Sequence, residues 1–344
     1  MLTTKSLLAF ASLLVFLPVG TSVAAEQTQK PTSEPRSFAF TDTADLIPRG
    51  AKTEVVEYKG RKALHIITQS KTGSGFTLLK DVEFRDGTIE ADVAAKITTP
   101  PGVRMPGFIG IAFRARPDAS RYELFYLRPG NSKAEDQAMR NHSVQYSSEP
   151  DFGWPVLRTQ WPAIYEAYTD MQPGEWTRVK IEVHGRRAKL YINGSPNPSL
   201  IVDGLKGEDL RGGIGLYSFM GEEAYFSNLK ITSAAPEPIK NGGEAAGMWD
   251  VAFNTDAGPM KGTMNLTRDN NKLSGTWSGD LGDNLPVSGT WRDGYVELVF
   301  TGTWRDSAAP APTRLAGWID DDSGHGRMKV DGQAEGQWTA QRHK

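Results

Sequence analysis

TRVKIEVHGRRAKLYING, residues 177 to 194, alternates apolar and polar side chains at period two, with Val179, Ile181 and Val183 set against Lys180, Glu182 and His184. Gly185 and Arg186 then turn the chain back into Ala188 to Asn193, so the segment reads as a β-hairpin with one wet face. The same alternation recurs in TEVVEYK, RKALHIIT, GFTLLKDVEF, GTIEADVAAK, GFIGIAFRAR, RYELFYLRP, GGIGLYSF and AYFSNLKIT, with almost no helical period between them. About a dozen short strands in one open sheet would expose a large apolar face. Two sheets packed face to face are therefore predicted from Ser37 to Thr232, and a jelly-roll sandwich fits best.

At 344 residues the chain is long for a single core, and its composition changes once more. SAAPEPIKNGGEAAG, residues 233 to 247, is rich in Pro, Gly, Ala and Glu and reads as a linker. Residues 248 to 344 then hold six of the nine tryptophans, most of them two residues after a glycine: Trp249, Trp277, Trp291, Trp304 and Trp338, with Trp318 directly after Gly317. DNN, RDG and DDDSG turns separate them. This repeat predicts a small up-and-down β-barrel of about six to eight strands with one Trp per strand inside it, as packing first and as the wall of a ligand cavity second.

The N-terminus carries Lys5, an apolar run from Leu7 to Val19, and small residues Val23 and Ala25. That is the pattern of a secretory signal peptide, residues 1–25, followed by a polar, disordered leader at 26–36. The expected location is thus the periplasm or the extracellular medium, with no membrane anchor. With no cysteine there are no disulfides, and with 39 basic against 41 acidic residues a nucleic-acid partner is disfavoured.

Residues 75–232 resemble the concanavalin A-like lectin/glucanase superfamily, in particular its laminin-G-like and 3-keto-disaccharide hydrolase-like branch. FRDGTIEADV, GFIGIAFRA, RYELFYLRP, EWTRVKIEVHGRRAKLYING and GGIGLYSFMGEEAYFSNLKI carry the resemblance, in that order. The Trp repeats are similar to avidin- or lipocalin-type barrels in pattern only. What the first resemblance implies is an all-β, concanavalin A-like jelly roll followed by a small antiparallel barrel, and a saccharide as partner. It also implies that calcium could sit at a first-domain loop, which no motif locates; no other cofactor is expected. A retaining glucanase of that superfamily carries two carboxylates on one strand face in an E-x-D-x-E pattern. The corresponding strand here places Phe125 and Leu127 in register with Glu123, and the Glu90-Ala91-Asp92 match reads as surface charge.

Candidate site residues follow from strand parity. An ionised carboxylate between two apolar sheets costs several kcal/mol unless paired, so Glu123 is expected on the open, concave face, with Tyr122, Leu124 and Tyr126 toward the core. Ile109, Ile111 and Phe113 form a core stripe, which leaves Gly110, Ala112 and Arg114 on the groove side, where Arg114 can pair with Glu123. By the same rule Asn141, Ser143 and Gln145 share one face. The groove is then lined by Arg114, Glu123, Asn141 and Gln145, with Arg128 at its edge and Trp161 at its rim beside Trp154 and Tyr165. His142 is the histidine near it. No metal site is read from the sequence: Asp320 to Asp322 with Ser323-Gly324-His325 reads as a solvated hairpin.

The leading expectation is an exported carbohydrate-binding protein. The resemblance supplies a rival, a glycoside hydrolase similar to 3-keto-disaccharide hydrolases that uses Glu123 or His142 as acid/base. A third class is a non-catalytic interaction module of the envelope.

Overall fold

The computed structural model describes residues 34–69, 73–98, 105–219, 222–236, 244–255, 258–305, 307 and 309–344. The expected signal peptide, all but the last three residues of the leader, and residues 237–243 of the expected linker lie outside these. No helix of the described residues is long and apolar enough to cross a membrane.

The chain opens with β1 (Arg36–Phe38), β2 (Leu46–Arg49), β3 (Ala51–Tyr58), β4 (Arg61–Thr68), β5 (Ser74–Leu79) and β6 (Gly87–Ile97). It continues through β7 (Ile109–Ala115), β8 (Tyr122–Leu127), α1 (Pro129–Ser132), α2 (Gln137–Arg140), β9 (Val144–Glu149), α3 (Trp154–Gln160) and β10 (Glu166–Ala167). Then come β11 (Thr177–His184), β12 (Arg187–Ile192), β13 (Leu200–Asp203), β14 (Gly213–Phe219) and β15 (Glu222–Ser233). An eight-stranded sheet runs β13-β12-β11-β6-β15-β4-β3 with β1 beside β15, and a seven-stranded sheet runs β10-β9-β8-β7-β14-β5-β2.

The alternation visible in the sequence explains why the two sheets stack. Val179, Ile181 and Val183 of β11 and Ile89, Ala91 and Val93 of β6 face Ile109, Ile111 and Phe113 of β7 and Ile214 and Leu216 of β14 in one buried cluster. Each of the Val, Ile, Leu and Phe side chains contributes about 1.5–3 kcal/mol on burial. Glu90 and Asp92, on the opposite face of β6, pair with Arg178 and Arg61 at the surface.

The second unit comprises β16 (Gly247–Thr255), β17 (Gly258–Asp269), β18 (Lys272–Gly279), β19 (Gly282–Arg292), β20 (Tyr295–Gly302), β21 (Ala311–Asp320), β22 (Ser323–Val330) and β23 (Ala334–Arg342). They close into a barrel in sequence order, and the Asp320–His325 segment is its β21–β22 turn. Trp249, Trp277, Trp291, Trp304 and Trp338 fill the interior with Phe253 and Phe300. The distribution differs from one Trp per strand: β17, β20 and β22 have none, and Trp318 points outward, edge-on to Tyr295 at 5.2 Å. Glycine stands two residues before Trp277 because a methyl group at Gly275 would meet the Asn265 carbonyl oxygen of the neighbouring β17 at 1.9 Å.

The barrel rests on the sandwich. Tyr295 and Ala316 join the sandwich core, Arg186 Nε donates to Asp293 at 2.7 Å, and the Lys206 ammonium pairs with Glu297. The segment 204–207 is thus gripped from the barrel side.

Candidate functional site

Glu123 lies directly opposite Phe113 in the antiparallel β7–β8 pair, and cross-strand partners share a face. Phe113 is core, so Glu123 points between the sheets and is only 1 % exposed. This corrects the expectation that it lines a groove: the residues on the outer face are Leu124 and Tyr126. The cost of burial is offset by two donors, the Tyr146 hydroxyl at 2.5 Å and the Gly207 N–H at 2.8 Å. Burial is also the main reason its pKa is raised above the ordinary carboxylate value, with Tyr146 and Arg114 opposing.

Arg114 departs from parity for a different reason. Between Ala112 and Ala115, β7 carries one residue more than β14 does between Gly213 and Gly215, a bulge. Arg114 has φ +53° there. Its guanidinium is re-aimed into the interior, where it donates to the Arg85 carbonyl at 2.9 Å, Asp86 at 3.0 Å and the Gly185 carbonyl at 2.7 Å. Its ion-pair partner is Asp86; the attraction to Glu123 is longer in range.

The outer face of the seven-stranded sheet carries a transverse row in register: Arg49, Phe76, Tyr217, Gly110, Tyr126, Gln145 and Glu166. Its rings pack on one another, Phe76 to Tyr217 at 5.4 Å and Tyr126 to Tyr217 at 6.2 Å. The room expected above the small residues is occupied: a methyl group at Gly110 would meet Leu124 at 3.0 Å, and one at Gly215 the Phe76 ring at 2.9 Å. Asn141 is exposed in the turn that caps α2 and is not part of a strand. Trp161 and Tyr165 belong to the sandwich core rather than to a rim.

What remains is a polar corner at the β8–β9–β10 end of this face. Arg128 donates to the Tyr126 hydroxyl at 2.7 Å, to Gln145 Oε1 at 3.3 Å and to the His142 carbonyl at 3.1 Å. Glu166, opposite Gln145, accepts two hydrogen bonds from Arg158 at 2.9 and 2.6 Å. His142 Nδ1 lies 2.9 Å from Glu166 Oε2, at ion-pair distance but off the line of a hydrogen bond. Burial, opposed by Glu166, lowers the His142 pKa, which favours a neutral imidazole near neutral pH. The Arg158 guanidinium lies over the Trp154 ring at 4.5 Å, and Trp154 is 44 % exposed.

Of the residues singled out from the sequence, the structure brings Arg128, Gln145, His142 and Trp154 together at this corner, but not Arg114, Glu123, Asn141 or Trp161; Glu166, Arg158 and the outward Tyr126 are not among those singled out. The only signal for Glu166 is the brief alternation Tyr165-Glu166-Ala167, a strand of two residues. Among the described residues, no three His, Asp or Glu side chains converge as a metal-holding group.

Residues 43–232 match the family described as the 3-keto-alpha-glucoside-1,2-lyase-like domain. The chain belongs to this family. No curated protein matches the chain. Solved structures with a similar fold include a carbohydrate-binding module from Bacillus subtilis, 20 % identical, covering 53 % of this chain and 95 % of its own at a TM-score of 0.36. A Bacillus subtilis protein of unknown function with a galectin-like fold is 12 % identical, covering 61 % of this chain and all of its own (100 %) at 0.42. A putative glycosyl hydrolase from Parabacteroides distasonis is 13 % identical, covering 54 % and 84 % at 0.34. The lyase-like match ends at the sandwich and leaves the barrel outside it.

Proposed function

We propose that this family member is an exported saccharide-binding protein whose ligand docks at the corner formed by Arg128, Gln145, His142, Arg158, Glu166 and Trp154. The observation that carries this reading is the exposed Trp154 indole beside planar hydrogen-bonding groups already locked by one another. An indole covers the apolar face of a pyranose ring, while the partly exposed Arg158 guanidinium and His142 imidazole pair with its hydroxyls and the buried Arg128, Gln145 and Glu166 hold the corner in shape. The N-terminal Lys5, apolar run and small residues at 23 and 25 support export.

Calorimetric titration of the mature chain with a glycan panel tests it. Trp154→Ala and Arg158→Ala should each weaken binding by about 1–3 kcal/mol. Wild-type protein that binds none of the panel, or variants that bind as well as wild type, would refute the corner site.

A second reading is favoured by the His142–Glu166 pair and the family's name. A neutral imidazole beside a carboxylate is a candidate general base. On a 3-ketoglucoside it would take the C2 proton, acidified by the neighbouring carbonyl. The C2–H electrons would form a C1–C2 double bond as the C1–O bond breaks, and the leaving oxygen would take up a proton. His142→Ala should then lower turnover of a 3-keto-glucoside about a hundredfold or more while leaving affinity nearly intact. Equal turnover in both proteins would exclude His142 as the base.

A further inference from the structure

The helix α3 has two ends with different surroundings. At one end Trp154 stacks with Arg158, which bonds Glu166, whereas Gln160 and the following Trp161 face the barrel across an open cleft of about 200 Å³. The cleft wall on the sandwich side is Phe152, Gln160 and Trp161; on the barrel side it includes Thr290, Arg292 and Arg314. Register explains the barrel wall: Thr290 pairs with Glu297, and Val299 with Arg314, so these side chains stand on the outer face of β19, β20 and β21. The adjoining outward residues Tyr295 and Ala316 are packed into the sandwich core and fix the two walls against each other.

The polar groups of this cleft are incompletely used. Arg314 reaches Asp331 only at 3.4 Å, and its Nε–H is shut off from solvent with no acceptor in the protein. The Arg314 side chain as a whole is 26 % exposed beside the cleft, which leaves it open to a ligand oxygen. Arg292 is held flat by Thr290 at 3.0 Å and Glu297 at 3.5 Å, beside the Phe152 ring at 5.9 Å. Two guanidinium groups, an amide, a hydroxyl and two aromatic edges make a wall suited to the hydroxyls and apolar faces of a sugar.

We propose that this cleft is a second saccharide subsite, reached around α3 from the corner at Trp154, and that the barrel is part of the binding surface. Trp154 and Gln160 are separated by about 9 Å along the helix at 1.5 Å per residue, further than one sugar ring spans. The ligand is therefore an oligosaccharide segment that touches both units of the chain. This inference rests on the saccharide reading of the corner.

The test uses the mature full-length chain and oligosaccharide ladders of α-1,4-glucan, β-1,3-glucan and β-1,4-glucan, titrated calorimetrically. Arg314→Ala and, from the other wall, Gln160→Leu are compared with wild type, with melting temperatures to confirm folding. Both variants should bind the longer oligosaccharides about tenfold or more weakly and the shortest ones unchanged. Gln160→Leu keeps the test decisive if Arg314→Ala loosens the barrel. If Trp154→Ala weakens binding while both cleft variants match wild type at every chain length, the corner reading stands and the second subsite is wrong. If wild type binds no ladder, both readings fall together.

Discussion

Replacing Glu123 by Ala is expected to destabilise the protein by about 3–5 kcal/mol, measured by chemical denaturation of the mature chain. The change would leave the Tyr146 hydroxyl and the Gly207 N–H without their acceptor and remove the negative charge or dipole facing Arg114. It would also reach the barrel, because the same loop presents Lys206 to Glu297 and accepts hydrogen bonds from Arg186 at Leu205 and Gly207. Glu123→Gln should cost less, since an amide oxygen can still accept from Gly207 while its NH2 group cannot accept from Tyr146. A loss below about 1 kcal/mol for Glu123→Ala would show that the carboxylate is not an anchor.

The same residue sets a pH dependence with a definite sign. Its pKa in the folded protein is raised, chiefly by burial, so the folded state holds a proton that the unfolded chain has released. The stabilisation from this group is complete below the ordinary carboxylate pKa and is lost as pH rises from there through the folded value. Glu149 and Glu222, raised by burial in the same direction, contribute with the same sign, Glu222 with a pKa of about 7. Subtracting the Glu123→Gln profile from that of wild type isolates Glu123; the difference should shrink as pH rises.

The sheets were legible in the sequence because burial on one face leaves a period-two record, as in Val179, Ile181 and Val183. The core stripe Ile109, Ile111 and Phe113 was legible for the same reason. Side-chain placement at the candidate site was not, because it depended on partners far along the chain. Glu123 is tolerated inside by Tyr146 and by Gly207, whose contribution becomes visible only when the loop folds back. Arg114 was misplaced by a bulge, which leaves no mark on alternation. His142 gained its carboxylate from Glu166, in an edge strand too short to have a period. Trp161 looked like a rim aromatic because it sits in a polar loop, yet the turn after α3 carries it into the core.

Trp277→Ala is expected to cost about 3–5 kcal/mol of stability. The indole is fully buried and stacked between Phe253, at 5.1 Å and 11°, and Phe300, at 5.0 Å and 15°. Its N–H has no acceptor, so truncation orphans no polar partner and the loss reports packing alone. Small barrels are filled by their own side chains, and this three-ring stack spans strands β16, β18 and β20, so a cavity left there cannot close without moving the wall. Trp318→Ala provides the contrast. That indole lies outside the barrel, half-buried against Tyr295, and its removal should cost less and act on the junction with the sandwich rather than on the barrel core. Near-ultraviolet circular dichroism should lose its aromatic signature in the Trp277 variant, where the stack is broken. Full stability together with an unchanged spectrum would mean that the interior is not packed on Trp277, and would return the ligand-cavity reading of the G-x-W repeat.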